Sequence, residues 1–206
     1  MILGLTGKNA SGKGEVANYL KSKGFIYYSL SDVIRDEATK RNLEHSRDNL
    51  IRLGNELRKN FGPNYLAQQI NKKIKNQLMN NPKQDFVIDS IRSPFEAKEL
   101  MKNRDFTLVG IDAPIELRFG RLLERNRLGD AKTLADFKKQ EERENLKSDT
   151  NQQLDATFEM AKEIIVNNGT IDGLHQKVDD LLNHLLRKKK RQISIKLIKI
   201  KKIMKK

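Results

Sequence analysis

A chain of 206 residues is long enough to bury one substantial hydrophobic core, and the absence of cysteine excludes disulfide bonds and thiolate zinc sites. No apolar run reaches the roughly 18 residues that span a bilayer, and no signal-peptide pattern is present, so we expect a cytoplasmic protein. The net charge of +14 suggests an anionic partner, but 11 of the 41 lysines and arginines lie in the last twenty residues, which leaves residues 1–186 with 30 basic and 27 acidic residues.

Short apolar runs alternate with amphipathic stretches along the chain, which is typical of β-α units around a parallel sheet. Ser31, Ser46 and Thr133 are placed to cap three of the helices. The sequence therefore predicts an α/β fold in three layers, a five-stranded parallel sheet flanked by helices. In chain order the predicted strands cover 2–6, 25–29, 86–89, 107–112 and 163–167, and the predicted helices 13–22, 31–41, 47–60, 64–79, 94–103, 115–126, 133–146 and 171–187.

Two charged segments stand apart from this alternation. Residues 127–150 are interpreted as a small helical lid over a site, the alternative being a solvated surface helix. Residues 187–206 form a basic tail, for which a disordered extension is the favoured interpretation and a strand or an amphipathic helix are the alternatives. Any contact with nucleic acid or an anionic membrane is expected through this tail. We divide the chain into a domain of residues 1–186 and a tail of residues 187–206.

The stretch "GLTGKNASGKGEVANYL" near the N-terminus carries the spacing of a phosphate-binding loop. An apolar strand precedes the loop and an amphipathic helix follows it, which is the context in which backbone N–H groups and a helix N-terminus bind phosphate. The position that normally carries a serine or threonine hydroxyl for Mg²⁺ is a glycine. The predicted nucleotide-binding residues are Gly7, Lys8, Asn9, Ala10, Ser11, Gly12, Lys13, Gly14 and Glu15.

Magnesium is expected despite the missing hydroxyl at Gly14. Mg²⁺ keeps several waters in such sites and often uses only one or two protein ligands. Asp89 ends the strand predicted over 86–89 and is the candidate metal ligand, the alternative being that it caps the following helix. The sequence therefore predicts binding of ATP with Mg²⁺. Whether phosphoryl transfer follows depends on the effect of the missing hydroxyl at Gly14.

Several arginines occupy positions suited to a second phosphate site. Arg35 and Arg92 follow two of the predicted strands, so they lie at the carboxyl edge of the sheet, where ligands bind in open α/β folds. Arg121 and Arg125 are one helical turn apart and share a face, and Arg143 lies in the predicted lid. Because a guanidinium binds phosphate bidentately, these positions suit transfer between two phosphorylated molecules. Other arginines are interpreted as surface charges: Arg41, Arg47 and Arg118.

The order of the loop, "SLSDVIR", "VIDSIRSPFEAKEL" and "DAPIELRFGRLLER" resembles the nucleoside monophosphate kinases, with adenylate kinase as the example. The resemblance implies ATP as donor with Mg²⁺ and a nucleotide-type small molecule as acceptor. By this likeness, Arg121 and Arg125 contact the triphosphate and the transition state, and Arg143 closes from the lid. The acceptor-binding residues it implies are Asp32, Arg35, Asp89 and Arg92.

Residues 1–186 are also similar to dephospho-CoA kinase-related proteins, and to the domain that precedes a deoxycytidylate deaminase in some longer chains. Ser31 and Ser90 stand where adenylate kinases have glycine, which leaves the acceptor open. The function that the sequence predicts is ATP-dependent phosphoryl transfer to a nucleoside or deoxynucleoside monophosphate. The alternatives are a dephospho-CoA kinase, or a catalytically silent nucleotide-binding module, which Gly14 motivates.

Overall fold

The computed structural model describes residues 1–126, 129–144 and 153–203, apart from the side chains at 47, 143, 144, 193 and 196–203. It forms two compact units, Met1–Asn168 and Gly169–Lys206.

The first unit is built on a sheet whose central strand, β1 (Ile2–Thr6), is buried along its whole length. Such a continuous apolar run is typical of a parallel strand covered on both faces. The neighbours of β1 are β3 (Phe86–Asp89) and β4 (Phe106–Asp112), and the outer strands are β2 (Ile26–Ser29) and β5 (Glu163–Val166). The order is β2-β3-β1-β4-β5 and every pairing is parallel. The predicted α/β fold is confirmed.

Helices follow the strands as the amphipathic pattern predicts. The hydroxyls of Ser46 and Thr133 accept hydrogen bonds from backbone N–H groups three residues later, as expected of caps. The cap predicted at Ser31 lies two residues earlier, at Ser29, which accepts from the N–H of Ser31. In this unit the described helices are α1 (Lys13–Ser22), α2 (Leu30–Lys40), α3 (Arg47–Phe61), α4 (Tyr65–Asn80), α5 (Pro94–Leu100), α6 (Ile115–Arg125), α7 (Leu134–Glu144) and α8 (Leu154–Glu159).

Two helices of this unit differ clearly from the prediction. Helix α5 ends at Leu100 instead of residue 103, because the side-chain amide of Asn103 donates to the Leu100 carbonyl and closes the helix end. The short helix α8 was not predicted. Its Phe158 ring fills the space beside Gly110 of β4, where a Cβ atom would lie 2.7 Å from the ring.

The predicted lid, about residues 127–150, contains α7, whereas residues 127, 128 and 145–150 lie outside the described residues. The opening and closing of this segment stays a prediction.

The second unit consists of one long helix, α9 (Ile171–Ile203). The favoured interpretation of the basic tail as a disordered extension is therefore wrong as far as Ile203. No glycine or proline follows Gly173, so nothing in the sequence ends the helix that begins at Ile171. Among the residues that the structure describes, no helix combines the length and the apolar character needed to cross a membrane.

Candidate functional site

The turn between β1 and α1 has the backbone of a phosphate-binding loop. Gly7 has φ +141° and approaches β4 so closely that a Cβ atom would lie 2.1 Å from the Ile111 carbonyl oxygen. Ala10 and Gly12 also have positive φ, at 59° and 102°, and α1 begins at the next residue, Lys13. The loop thus bends sharply onto the N-terminus of a helix, where backbone N–H groups and the helix dipole favour an anion.

Lys13 and Ser11 are the polar side chains best placed for a polyphosphate. The Lys13 ammonium donates to the carbonyl oxygens of Gly7 and Lys8, at 2.7 and 2.8 Å, which holds it across the loop. Ser11 is fully buried, and among the described residues its hydroxyl has no hydrogen-bond partner. Because buried hydroxyls are normally satisfied, this one fits a phosphate oxygen as its acceptor.

The other predicted loop residues connect the loop to its surroundings. The Lys8 ammonium lies 3.2 Å from the Asp155 carboxylate of α8. The Asn9 carbonyl accepts a hydrogen bond from Arg118, and the N–H of Glu15 donates to the Gly12 carbonyl at 3.1 Å.

Gly14 and Asp89 are the two positions that determine which protein ligands are available to a metal ion. Gly14 is exposed in the first turn of α1 and nothing lies within 4 Å of the place where a Cβ atom would be, so packing does not require glycine there. Asp89 ends β3 beside β1, and one of its carboxylate oxygens accepts from the Ser90 N–H at 2.6 Å. No group of three or more candidate ligands occurs among the described residues. Mg²⁺ carried by a nucleotide fits this chemistry, because phosphates and water supply most of its ligands.

The pKa of Tyr27, on β2, is affected by the carboxyl edge of the sheet. Burial, and next to it the negative charge of Asp89, raise the pKa of Tyr27 on β2. Asp89 is paired in register with Ser29 of β2, two residues after Tyr27.

A cavity of about 340 Å³ extends from the phosphate loop across the carboxyl edge of the sheet. Six of the predicted site residues line it: Gly7, Asn9, Lys13, Arg35, Arg92 and Arg125. Arg58 of α3 lines it as well, although the sequence did not single it out. Asp32, Asp89 and Arg121 are not among the lining residues, so the structure brings together only part of the predicted set.

Acidic side chains hold two of these arginines in place. Arg35 forms an ion pair with Asp32, one turn away on α2, at 2.8 Å. Arg125 binds Asp130 bidentately, with both distances 2.9 Å and the Asp130 side chain only 5% exposed. Asp32 does not line the cavity itself, but it is paired with Arg35, which does.

Arg121 lies against the end of β5. Its guanidinium donates to the Asn167 carbonyl oxygen at 3.2 Å, and the Asn167 side chain donates in turn to the Ser11 carbonyl at 2.9 Å. This places Arg121 beside the phosphate loop, although it does not line the cavity with Arg35 and Arg92. The side chain of Arg143 lies outside the described residues, so its role stays a prediction.

The interpretation of Arg118 as a surface charge is wrong. Its side chain is 4% exposed and binds Glu141 of α7, and it also donates to the carbonyl oxygens of Ala113 and Asn9 at 3.0 and 3.3 Å. The signal that could have found it is its position on the apolar face of α6, four residues before the buried Leu122. Arg41 is a partly exposed charge paired with acidic neighbours, as expected, and the side chain of Arg47 is not described.

Arg58 and Glu96 form a second buried ion pair that sequence reasoning missed. The Arg58 side chain is 6% exposed and that of Glu96 is fully buried. The spacing of Ser93 and Glu96 in "SPFE" resembles a capping box at the start of α5, but Glu96 accepts from the backbone N–H of Arg92 and from Arg58 instead, so this pattern did not predict the pair.

The sheet order and the loop between β1 and α1 define a P-loop protein with a kinase-like fold. A dephospho-CoA kinase from Campylobacter jejuni superposes with a TM-score of 0.54 at 16% identity, covering 89% of this chain and 96% of that one. A shikimate kinase from Acinetobacter baumannii gives 0.52 at 14% identity, covering 91% and 94%. At such low identities the likeness establishes the fold alone.

Relatives in sequence give the family. Residues 3–145 match the family model described as AAA domain. A UPF0200 protein from Pyrococcus furiosus is 32% identical over 186 residues, which cover 89% of this chain and 96% of that protein. One from Pyrococcus abyssi is 30% identical over 189 residues, covering 90% and 97%. The chain belongs to the AAA-domain family and to the UPF0200 family.

Proposed function

We propose that this protein transfers the γ-phosphoryl group of ATP to a nucleotide-type acceptor, and that the acceptor is a nucleoside or deoxynucleoside monophosphate. The observation that carries the proposal is that one cavity is lined both by Lys13 of the phosphate loop, with Arg125 nearby, and by Arg35 and Arg92. A donor site for a polyphosphate and a separate set of guanidinium groups are the two parts that transfer between phosphorylated molecules needs.

The proposed reaction is a direct in-line displacement. An oxygen of the acceptor phosphate forms a new bond to the γ-phosphorus, and the bond from that phosphorus to the β,γ-bridging oxygen breaks, which releases ADP. Lys13 neutralises part of the charge of the moving group. Asp89 would hold Mg²⁺, which would supply further charge neutralisation when bound with the nucleotide. Arg121 and Arg125 act on the donor side and Arg143 closes from the lid, whereas Arg35 and Arg92 bind the acceptor, with Asp32 holding Arg35.

The experiment is an acceptor screen with ATP and Mg²⁺ that measures acceptor-dependent formation of ADP. The panel contains ribonucleoside and deoxynucleoside monophosphates and dephospho-CoA. We expect turnover with a monophosphate and loss of this turnover in Lys13→Met. The control Lys72→Met removes an exposed lysine of α4 and should keep normal turnover. Turnover with dephospho-CoA alone would identify the alternative acceptor and overturn the monophosphate assignment.

A silent nucleotide-binding module is the second candidate, and the observation that favours it is Gly14. Because no side chain hydroxyl is available there, the metal has one protein ligand fewer than in a standard phosphate loop. This candidate predicts that ATP with Mg²⁺ binds in a calorimetric titration while every acceptor in the screen remains unphosphorylated. Absence of ATP binding would reject both candidates.

A further inference from the structure

One face of α3 points at the cavity. Ile51, Asn55 and Arg58 all line it, and their spacing of four and then three residues places them in a row along the helix. From Ile51 to Arg58 the row spans about 10 Å along the axis. It offers, in order, an apolar side chain, an amide and a guanidinium.

Glu96 fixes the charged end of this row. One of its carboxylate oxygens accepts from Nε and Nη2 of Arg58, at 3.1 and 2.8 Å, and the other accepts from the backbone N–H of Arg92 at 3.0 Å. A single buried carboxylate thus sets the positions of Arg58 and of the Arg92 backbone. An arginine has five N–H groups, and Glu96 engages two of those on Arg58.

Gly54 makes room for this arrangement. A glycine within a helix is less stable than an alanine, so its presence here calls for a packing reason. At Gly54 a Cβ atom would lie 2.9 Å from the Ile34 side chain and 3.3 Å from Nη1 of Arg58. The glycine therefore allows α2 to approach α3 beside the guanidinium.

We propose that α3 is the acceptor-recognition helix, in which Arg58 binds the phosphate of a nucleoside monophosphate and Asn55 and Ile51 contact its base. Asn55 suits the base edge, because an amide both donates and accepts hydrogen bonds. Glu96 is a positioning residue, which holds Arg58 and the Arg92 backbone in one geometry. The inference rests on the proposed function for the class of acceptor.

A purely structural role for the ion pair of Arg58 and Glu96 does not explain why it lies at the cavity wall. A buried ion pair contributes little net stability compared with apolar side chains of similar volume. It is placed at the wall of the cavity, where Arg35 and Arg92 add two further guanidinium groups. A fork of N–H groups held by a carboxylate on one edge is preorganised for a phosphate on another.

The test compares Arg58→Met with Lys59→Met, which removes an equal charge from the next residue on the exposed face of α3. Calorimetry measures the affinities of AMP, CMP, GMP, UMP and diadenosine pentaphosphate, and separately of ATP with Mg²⁺. We expect Arg58→Met to weaken the tightest monophosphate and diadenosine pentaphosphate at least about tenfold, with ATP changed less than about twofold. Lys59→Met should leave all affinities unchanged. Equal losses for ATP and monophosphate, or no loss, would overturn the proposal.

Three further variants separate recognition from folding. Arg58→Lys should not restore the affinity, because a point charge lacks the fork. Glu96→Gln should weaken monophosphate binding more than it weakens ATP binding in the same titrations. If Arg58→Met does not fold, Asn55→Ala decides: loss of monophosphate affinity with normal ATP binding supports the assignment, and unchanged affinity rejects it. Because these are binding measurements, a protein that binds the acceptor on α3 but transfers no phosphate would contradict the proposed function alone.

Discussion

Gly14 is the residue at which this phosphate loop departs from the standard pattern, and the space around it makes the departure testable. We predict that Gly14→Ser increases the Mg²⁺-dependent part of ATP affinity by about tenfold, or about 1.4 kcal/mol, because a hydroxyl ligand is restored. Nothing within 4 Å would obstruct the new side chain. The measurement is calorimetric titration of ATP with and without Mg²⁺.

The matched control for this variant is Gly14→Ala. Both substitutions replace a helical glycine, so both should stabilise the fold through helix propensity, alanine by up to about 1 kcal/mol and serine by less. Only the serine adds an oxygen. An alanine variant that matched the serine variant in metal dependence would show that helix stability, and not the missing ligand, limits binding.

At the level of single residues, the sequence singled out Lys13, Arg35 and Arg92 of the cavity lining but not Arg58. Lys13 was predictable because the loop has a fixed local spacing, and Arg35 and Arg92 because each follows a strand end. Arg58 was not, since it lies on a helix surface whose orientation toward the cavity depends on packing between α2, α3 and α5. Its partner Glu96 is 38 residues away in sequence.

Between elements, the ion pair of Arg118 and Glu141 fastens α7 to α6 and to the loop. We predict that Arg118→Met destabilises the fold by about 3–5 kcal/mol, because it leaves a buried carboxylate without its partner. The double variant Arg118→Met with Glu141→Met should regain most of that loss. Urea unfolding of the three proteins is the measurement. Equal destabilisation in the single and double variants would show that the Arg118 bonds to the Ala113 and Asn9 carbonyls matter more than the pair.

Glu99 joins α4 to α5 and gives the fold an acid-sensitive contact. Its carboxylate accepts from Lys102, Asn64 and Asn71 at 2.6, 2.9 and 3.3 Å. Burial favours the neutral carboxyl, but these hydrogen bonds together outweigh it and lower the pKa of Glu99 below 4.5.

A lowered pKa in the folded state stabilises the fold above the ordinary value of 4.5, and this contribution disappears as the pH falls through the lower folded value. We therefore predict that Glu99→Gln lowers Tm at neutral pH and reduces the further fall of Tm in acid. Melting curves from neutral pH to about pH 3 test this. Glu124→Gln, on the exposed face of α6, is the control, and an identical pH profile in the two variants would contradict the prediction.

For the whole molecule, the pattern of alternating apolar runs and amphipathic stretches was enough to predict the sheet. β1 and β3 have the predicted bounds, because their apolar runs are followed at once by a turn. Helix α8 escaped prediction, since its six residues carry too few turns for a periodic signal. The continuation of α9 to Ile203 was only an alternative in the sequence analysis, because a run of like charges favours a solvated tail unless the preceding helix is extended through it.

The concentration of positive charge at the end of α9 leads to the last prediction. Residues 187–191 are all lysine or arginine and all exposed, and residues 187–206 contain no acid. We predict that the full chain binds single-stranded RNA with an affinity that falls steeply with salt, because released counterions drive such binding. A chain that ends at Leu186 should lose this affinity and keep its affinity for ATP. Fluorescence anisotropy with a labelled oligonucleotide at several salt concentrations measures it.

A variant with residues 187–206 in scrambled order distinguishes charge from pattern. Binding by charge alone depends on the number of cations, so the scrambled tail should bind RNA as well as the natural one. Binding to an anionic membrane requires the apolar residues to share one helix face, so scrambling should reduce binding to phosphatidylserine vesicles. If the natural tail binds vesicles, the scrambled one does not, and neither binds RNA, the partner is a lipid surface and the RNA prediction is wrong.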